Sequence, residues 1–376
     1  MSEKIEQFLI QNQPVTPCLV MDMALVAQNY QCLASLLPDA KIYYAMKANP
    51  ATAILRQLSS LGAYFDVASL NEIKIALSEG ISPLQLCYGN TIKKTQDILA
   101  AYELGVRFFM IDSERELDKL NYVAPHANVF YRIETTCQHA RWPLASKFGC
   151  SLDEAKRLIK KTKQTNLTPY GISFHVGSQQ LEPLDWKQPI ADASSLYQYC
   201  LKEQITLRAL NIGGGFPAQY KESILELEVY TQSIDRLLTR YFPNNRPEII
   251  LEPGRYLVGS AGVLLTEVVL IKDRYHGTTR SRWVYLDAGK YNGLSEAGDN
   301  LILYSICSYK QGPESPVILA GPTCDSHDIL YHTTKYMLPD NLQVGDLLRI
   351  YATGAYTFSC SSIGFNGFEP LTVHCI

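Results

Sequence analysis

Four short apolar runs in this 376-residue chain end on side chains able to do chemistry. Ile42–Ala45 leads into Lys47, and Tyr64–Val67 contains Asp66. Gly171–Phe174 leads into His175, and Ile249–Leu251 into Glu252. A lysine just past a buried strand has two readings. It is a surface lysine whose stem snorkels along apolar surface, or a desolvated amine of lowered pKa, ready to form a Schiff base. Singly, Asp66, His175 and Glu252 read as structural hydrogen-bonding groups. Four strand ends that together carry Lys, Asp, His and Glu point to a site.

Gly213, Gly214 and Gly215 follow the run Ala209–Ile212. Three successive glycines let backbone N–H groups approach a ligand closely, whereas a tight turn needs one or two. Glu252-Pro253-Gly254-Arg255 adds an arginine at the next strand end, and its fork complements a phosphate dianion. Downstream, Gly321-Pro322-Thr323-Cys324-Asp325-Ser326 and Gly354-Ala355-Tyr356 each follow a strand-like segment. Cys324 by itself reads as a small buried hydrophobe. A cysteine hydrolase would need a paired histidine, and His327 sits in no such context. A Schiff-base lysine, a phosphate site, a flat ring at His175 and a carboxylate at Glu252 are the parts that hold pyridoxal phosphate. The lysine forms the imine, and the carboxylate keeps the ring nitrogen protonated.

These residues need a frame that brings strand ends together. Eight apolar runs recur, with the first five starts 21 or 22 residues apart: Ile42–Ala45, Tyr64–Val67, Leu86–Tyr88, Phe108–Ile111, Val129–Ile133, Gly171–Phe174, Ala209–Ile212 and Ile249–Leu251. Amphipathic stretches lie between them, with Ile54, Leu55 and Leu58 on one face and Ile73 and Leu77 on another, ended by Gly80. Ser69, Ser113 and Ser151, each with Glu three residues on, fit capping boxes. An open doubly wound sheet is the alternative, but eight strand–helix units favour an α/β architecture, a (β/α)8 barrel. Beyond about residue 258, Val263–Ile271, Trp283–Asp287, Pro316–Ala320 and Leu347–Tyr351 read as strands, with 272–281 an exposed loop. Thr16–Met21 is strand-like and joins them. The expected division is a cofactor-binding barrel over 24–258 and a β-rich domain from 1–23 and 259–376.

Composition excludes several classes. Lys and Arg number 34 against 37 Asp and Glu, a formal charge of −3, which speaks against binding by phosphate neutralisation and so against a nucleic-acid partner. No run of about 18 apolar residues predicts a membrane span. The segment 1–13 is polar and lacks a signal-peptide core. Ten cysteines without a C-x-x-C pair give no zinc ribbon or other metal site, and a reduced cytoplasmic protein is expected.

Longer motifs carry a resemblance. Tyr43-Tyr44-Ala45-Met46-Lys47-Ala48-Asn49-Pro50, Tyr88-Gly89-Asn90-Thr91-Ile92-Lys93-Lys94 and Phe174-His175-Val176-Gly177-Ser178-Gln179-Gln180 are near-verbatim motifs of one family. From Thr16 to Leu371 the chain resembles the fold-type III pyridoxal-phosphate decarboxylases of ornithine, diaminopimelate and arginine, and most of all the compact bacterial-type ornithine decarboxylases. The resemblance implies an alanine racemase-like barrel with a C-terminal β-domain. It implies Lys47 as the Schiff-base lysine, Asp66 near it, and His175 stacked on the cofactor ring. It implies Ser178, Gly213, Gly214, Gly215, Gly254, Arg255 and Tyr356 around the phosphate, Glu252 at the ring nitrogen and Arg132 on the cofactor side. Cys324 and Asp325 would come from the second subunit of a head-to-tail homodimer, Cys324 as proton donor and Asp325 as the binder of the distal ammonium. The implied reaction is L-ornithine to putrescine and CO2.

One stretch departs from the family pattern. Bacterial relatives carry Ala-Glu-Thr-Met-x-Glu-Ala-Ile where this chain has Ser295-Glu296-Ala297-Gly298-Asp299-Asn300-Leu301-Ile302, and animal-type relatives carry Asp at the place of Ser305. Glu296 or Asp299 is expected to supply the missing charge at the distal end of the substrate pocket. A decarboxylase of lysine or another diamino acid is the neighbouring alternative. A non-enzymatic homologue that regulates a decarboxylase is the other, and such a protein should have lost Lys47, the glycine loop or Cys324. A racemase is disfavoured by Cys324-Asp325.

Overall fold

The computed structural model describes residues 2–136, 139–142, 147–331 and 336–376, except the side chains of His276, Asp299 and Asn300. The chain divides into two compact units. One comprises Ala27–Pro217 and Leu225–Gly254. The other comprises Met1–Val26, Ala218–Ile224 and Arg255–Ile376.

The first unit is a closed barrel of eight parallel strands: β1 (Ala40–Ala45), β2 (Tyr64–Val67), β3 (Leu86–Tyr88), β4 (Phe108–Ile111), β5 (Asn128–Arg132), β6 (Thr168–Ser173), β7 (Ala209–Asn211) and β8 (Glu248–Leu251). Each pairs with the next, and β8 closes on β1 through Leu251 opposite Ile42. Strands buried on both faces need continuous apolar runs rather than alternation, and that is why eight such runs were visible. Tyr43, Cys87, Met110, Phe130, Ala209 and Ile250 pack together inside the barrel.

Helix starts follow the capping pattern in part. Ser151 and Glu154 form the full reciprocal box, and Ser69 accepts from Glu72 N–H. Ser113 makes no side-chain cap, although its helix Glu114–Val123 begins where expected. Between β5 and β6, a short strand Ala140–Trp142 pairs antiparallel with Ser178–Gln180, the segment that follows His175.

The second unit is built on a long hairpin of β9 (Gly262–His276) and β10 (Thr279–Leu286). The expected loop at 272–281 is instead the far end of this hairpin, with Lys272 opposite Trp283 and Arg274 opposite Ser281. Its charged residues sit on an exposed two-stranded ribbon, which has no apolar face to betray it in sequence. Gly277 makes the turn at φ +60°. β10 pairs parallel with β11 (Glu314–Ala320), and β9 pairs with β12 (Leu347–Tyr351). Cys18–Met21 joins the same sheet, opposite Gly262–Leu265. Ahead of it the helix Glu3–Asn12 buries Ile5 and Leu9 against Cys18, Val20, Val263 and Leu265. Among the described residues no helix is long and apolar enough to cross a membrane.

Candidate active site

The barrel unit gathers five of the expected side chains at the C-terminal ends of its strands. Lys47 lies in the turn after β1, and its Nζ is 2.9 Å from Oδ2 of Asp66 on β2. Asp66 is buried, while the lysine side chain is 44% exposed. Lys47 is thus an ion-paired, half-exposed side chain at the strand end.

Glu252, just past β8, is buried, and its carboxyl is held well above the ordinary 4.5. Burial is the main cause, and the charge of Asp66 adds to it. Lys47, Arg132 and a hydrogen bond from Asn211 pull the other way. Asn211 escaped sequence reading, because a lone asparagine closing an apolar run has no motif. It joins three strand ends. Its Nδ2 donates to Glu252 Oε1 at 2.5 Å, its Oδ1 accepts from Gly213 N–H at 2.9 Å, and its carbonyl accepts from Phe174 N–H at 3.1 Å.

His175 follows β6. Burial, then the charges of Arg132 and Lys47, hold its pKa well below 6.5, so the ring is neutral. Gly177 N–H donates to its Nδ1 at 2.9 Å, which places the ring proton on Nε2. Arg132 ends β5 with its guanidinium 5.0 Å from the centre of the Phe148 ring. Burial lowers its pKa.

The glycine loop lies against this group. A Cβ on Gly214 would stand 2.4 Å from the Glu252 carbonyl oxygen and 3.3 Å from His175 Nε2. Gly213 and Gly215 take φ of +69° and +103°, the left-handed region that side chains avoid. Gly254 is buried just before the helix Arg255–Val258. Ser178 is half-buried in the short strand beside the loop.

The β-rich unit holds the remaining residues in two places. Arg255 is 3% exposed and makes a bidentate ion pair with Glu296 at 2.6 and 2.7 Å, and its Nη1 also donates to the Tyr220 hydroxyl at 2.7 Å. Its guanidinium lies 4.7 Å from the centre of the Tyr356 ring. This corrects the expectation for Glu296. Both of its oxygens are committed to an arginine in the interior, so it does not supply the distal charge for a substrate. The Asp299 side chain lies outside what the structure describes. Tyr220 also escaped sequence reading, since nothing local marks a tyrosine as the partner of an arginine 35 residues away.

Cys324 and Asp325 form the second place, an exposed thiol beside a half-buried carboxylate. Asp325 accepts from the Tyr291 hydroxyl and from His327 N–H at 2.8 Å. These bonds, that of Tyr291 first, hold its pKa down to about 2, so it is ionised.

The barrel group fits pyridoxal phosphate on its own chemistry. A reachable amine is paired with a carboxylate, and a neutral aromatic histidine stands beside a loop too tight for any side chain. A buried acid, Glu252, calls for a compensating positive charge, and a protonated ring nitrogen supplies one.

Comparison with known proteins agrees. Residues 23–259 match the pyridoxal binding domain of the pyridoxal-dependent decarboxylases. The chain is 35% identical to the lysine/ornithine decarboxylase of Selenomonas ruminantium, over 98% of this chain and 91% of that protein. It is 32% identical to antizyme inhibitor 2 of Xenopus laevis, over 99% and 83% of the two chains. Its fold superposes on the arginine decarboxylase of Paramecium bursaria Chlorella virus bound to agmatine with a TM-score of 0.91, at 27% identity, covering 100% of both chains.

Proposed function

Since the chain belongs to the fold-type III pyridoxal-phosphate-dependent decarboxylases of ornithine, lysine and arginine, we propose that it converts L-ornithine to putrescine and CO2. When bound, the cofactor supplies an electron-poor ring that accepts the electron pair left by departing CO2.

The protein's residues do the rest. Lys47 would hold the cofactor through its amine, and Asp66, 2.9 Å from its Nζ, would orient that amine. Glu252 would face the ring nitrogen and favour its protonated form, and Asn211 fixes that carboxylate. His175, neutral and held through Nδ1, would offer a flat face to the ring. The N–H groups of Gly213–Gly215, with Ser178 and Gly254, would hold the phosphate, and Arg132 would lie on the cofactor side.

In a homodimer, Cys324 of the partner subunit returns a proton to the substrate carbon, and Asp325 of the partner subunit grips the distal ammonium. An apolar patch beside Cys324 supports pairing with a second copy: Ile363 is 84% exposed, and Phe365 and Phe368 are 39% and 42% exposed. The nine described cysteines are all free thiols, which suits a reducing cytoplasm.

The observation that carries the reading is the Lys47–Asp66 pair at 2.9 Å in the same barrel mouth as the buried acid Glu252, whose carboxyl is held above its ordinary value. A regulatory homologue would have no need of either. Asp325 carries a fixed negative charge with no arginine in its segment, which favours a terminal ammonium over a second carboxylate.

The test is turnover of the purified, cofactor-loaded protein on ornithine, lysine, arginine and meso-diaminopimelate, with amines identified by mass. Putrescine as the main product is expected. Cadaverine in excess would overturn the ornithine assignment, and no amine from any substrate would overturn catalysis itself.

A further inference from the structure

Two separate segments of the β-rich unit, 289–291 and 365–366, converge on the loop Gly321–Asp328. Asp328 is 1% exposed and saturated with hydrogen bonds. Its Oδ1 accepts from Lys290 N–H at 2.7 Å, and its Oδ2 accepts from Thr323 N–H at 3.1 Å and the Thr323 hydroxyl at 2.7 Å. Its own N–H donates to the Asp325 carbonyl at 3.0 Å, and its carbonyl accepts from Gly321 N–H at 2.9 Å. A Cβ on Gly289 or Gly321 would come within 2.3 Å of this carboxylate. The backbone is cut away on both sides to admit it.

One residue past Lys290, Tyr291 donates its hydroxyl to Asp325, and its ring packs 4.6 Å from that of Phe365. The turn that carries Phe365 holds Asn366 in the left-handed region at φ +52°, and Asn366 Oδ1 accepts from Cys324 N–H at 2.9 Å.

We infer that Asp328, Tyr291 and Asn366 are positioning residues: they form a bracket that fixes the Cys324 thiol and the Asp325 carboxylate relative to each other. Asp328 anchors the loop at its base through Thr323. Tyr291 sets the direction of the Asp325 carboxylate, and Asn366 sets the backbone of Cys324. The bracket divides two jobs. Tyr291 governs how well the distal ammonium is gripped, and Asn366 governs how well the proton donor is aimed. This rests on the roles proposed above for Cys324 and Asp325.

The test uses the full, cofactor-loaded protein. Tyr291→Phe is expected to raise KM for ornithine roughly tenfold with kcat little changed, since it loosens a group that only binds. Asn366→Ala is expected to lower kcat roughly tenfold with KM little changed, since small displacements of a reacting group cost rate. A merely structural role would move both parameters in both variants, and that result overturns the inference. Independently of turnover, Asn366→Ala should speed hydrogen exchange at the Cys324 amide at least tenfold in the cofactor-free protein. Unchanged exchange overturns the inference as well. Asp328→Asn removes the base anchor, and loss of both kcat and KM performance in a variant that still binds cofactor is expected. If Cys324→Ala leaves kcat unchanged while the amide exchange responds, the bracket stands and the proton-donor role fails.

Discussion

Replacing Glu296 with Gln separates two roles for that carboxylate. In the structure it binds Arg255 through two short hydrogen bonds, and both side chains are nearly sealed from water, at 7% and 3% exposure. Breaking a buried pair from one side costs about 3–5 kcal/mol, because the surviving charge is left without compensation. Gln keeps one oxygen able to accept from the guanidinium but turns an amide donor toward the other nitrogen. The Tyr220 hydroxyl still accepts from Nη1. The loss should therefore fall near the lower figure, about 3 kcal/mol. At roughly 2–4 °C per kcal/mol, Tm drops by about 6–12 °C. Replacing both residues, as Arg255→Met with Glu296→Met, removes both buried charges, so the double variant should lose less stability than the two single variants combined. The assay is thermal and denaturant unfolding of the cofactor-free parent, the singles and the double. If Glu296→Gln melts within about 2 °C of the parent while KM for ornithine rises steeply, the carboxylate serves the substrate, and the pairing argument fails.

Other consequences follow from the barrel site. Lys47→Ala should abolish amine formation and remove the visible absorbance of a cofactor–lysine Schiff base near roughly 420 nm; retained turnover would sink the proposed chemistry. Glu252→Gln should make the cofactor-free protein relatively more stable as pH rises. Between the ordinary value of 4.5 and its raised folded value, the folded parent holds a proton that the unfolded chain has lost, so the parent loses stability with rising pH and the Gln variant does not. Urea midpoints at pH 5 and pH 8 read this, and a variant-minus-parent difference that ignores pH refutes it. Gly214→Ala places a methyl 2.4 Å from the Glu252 carbonyl oxygen and should cost about 1–3 kcal/mol while weakening cofactor binding, measured by unfolding and cofactor titration.

The barrel was legible because parallel strands buried on both faces write themselves as short apolar runs, and each run here became a strand whose ends lie within three residues of it. The site was legible in its residue types for the same reason: strand ends at one barrel face converge whatever the local sequence, so Lys47, Asp66, His175 and Glu252 could be read as one group. The exposed ribbon at 272–281 was not legible, since a hairpin with no buried face carries no alternation. Helix Glu3–Asn12 was missed for a related reason. Only Ile5 and Leu9 are buried, with Phe8 packed beside them, and Ile10 on the exposed side blurs the apolar face.

Long-range partners were beyond sequence reading. Glu296 looked free to meet a substrate, and it is the counter-ion of Arg255, 41 residues away. Asn211, Tyr220, Asp328 and Asn366 carry no motif, because each works by filling a hydrogen bond whose other half lies in a different element. The sequence alone determined the number of barrel strands, the chemical types at their ends and the family. The tertiary structure alone decided which charges meet. An ion pair or a hydrogen bond is set by distance in space, and only the folded backbone brings such pairs within 3 Å while excluding water from them.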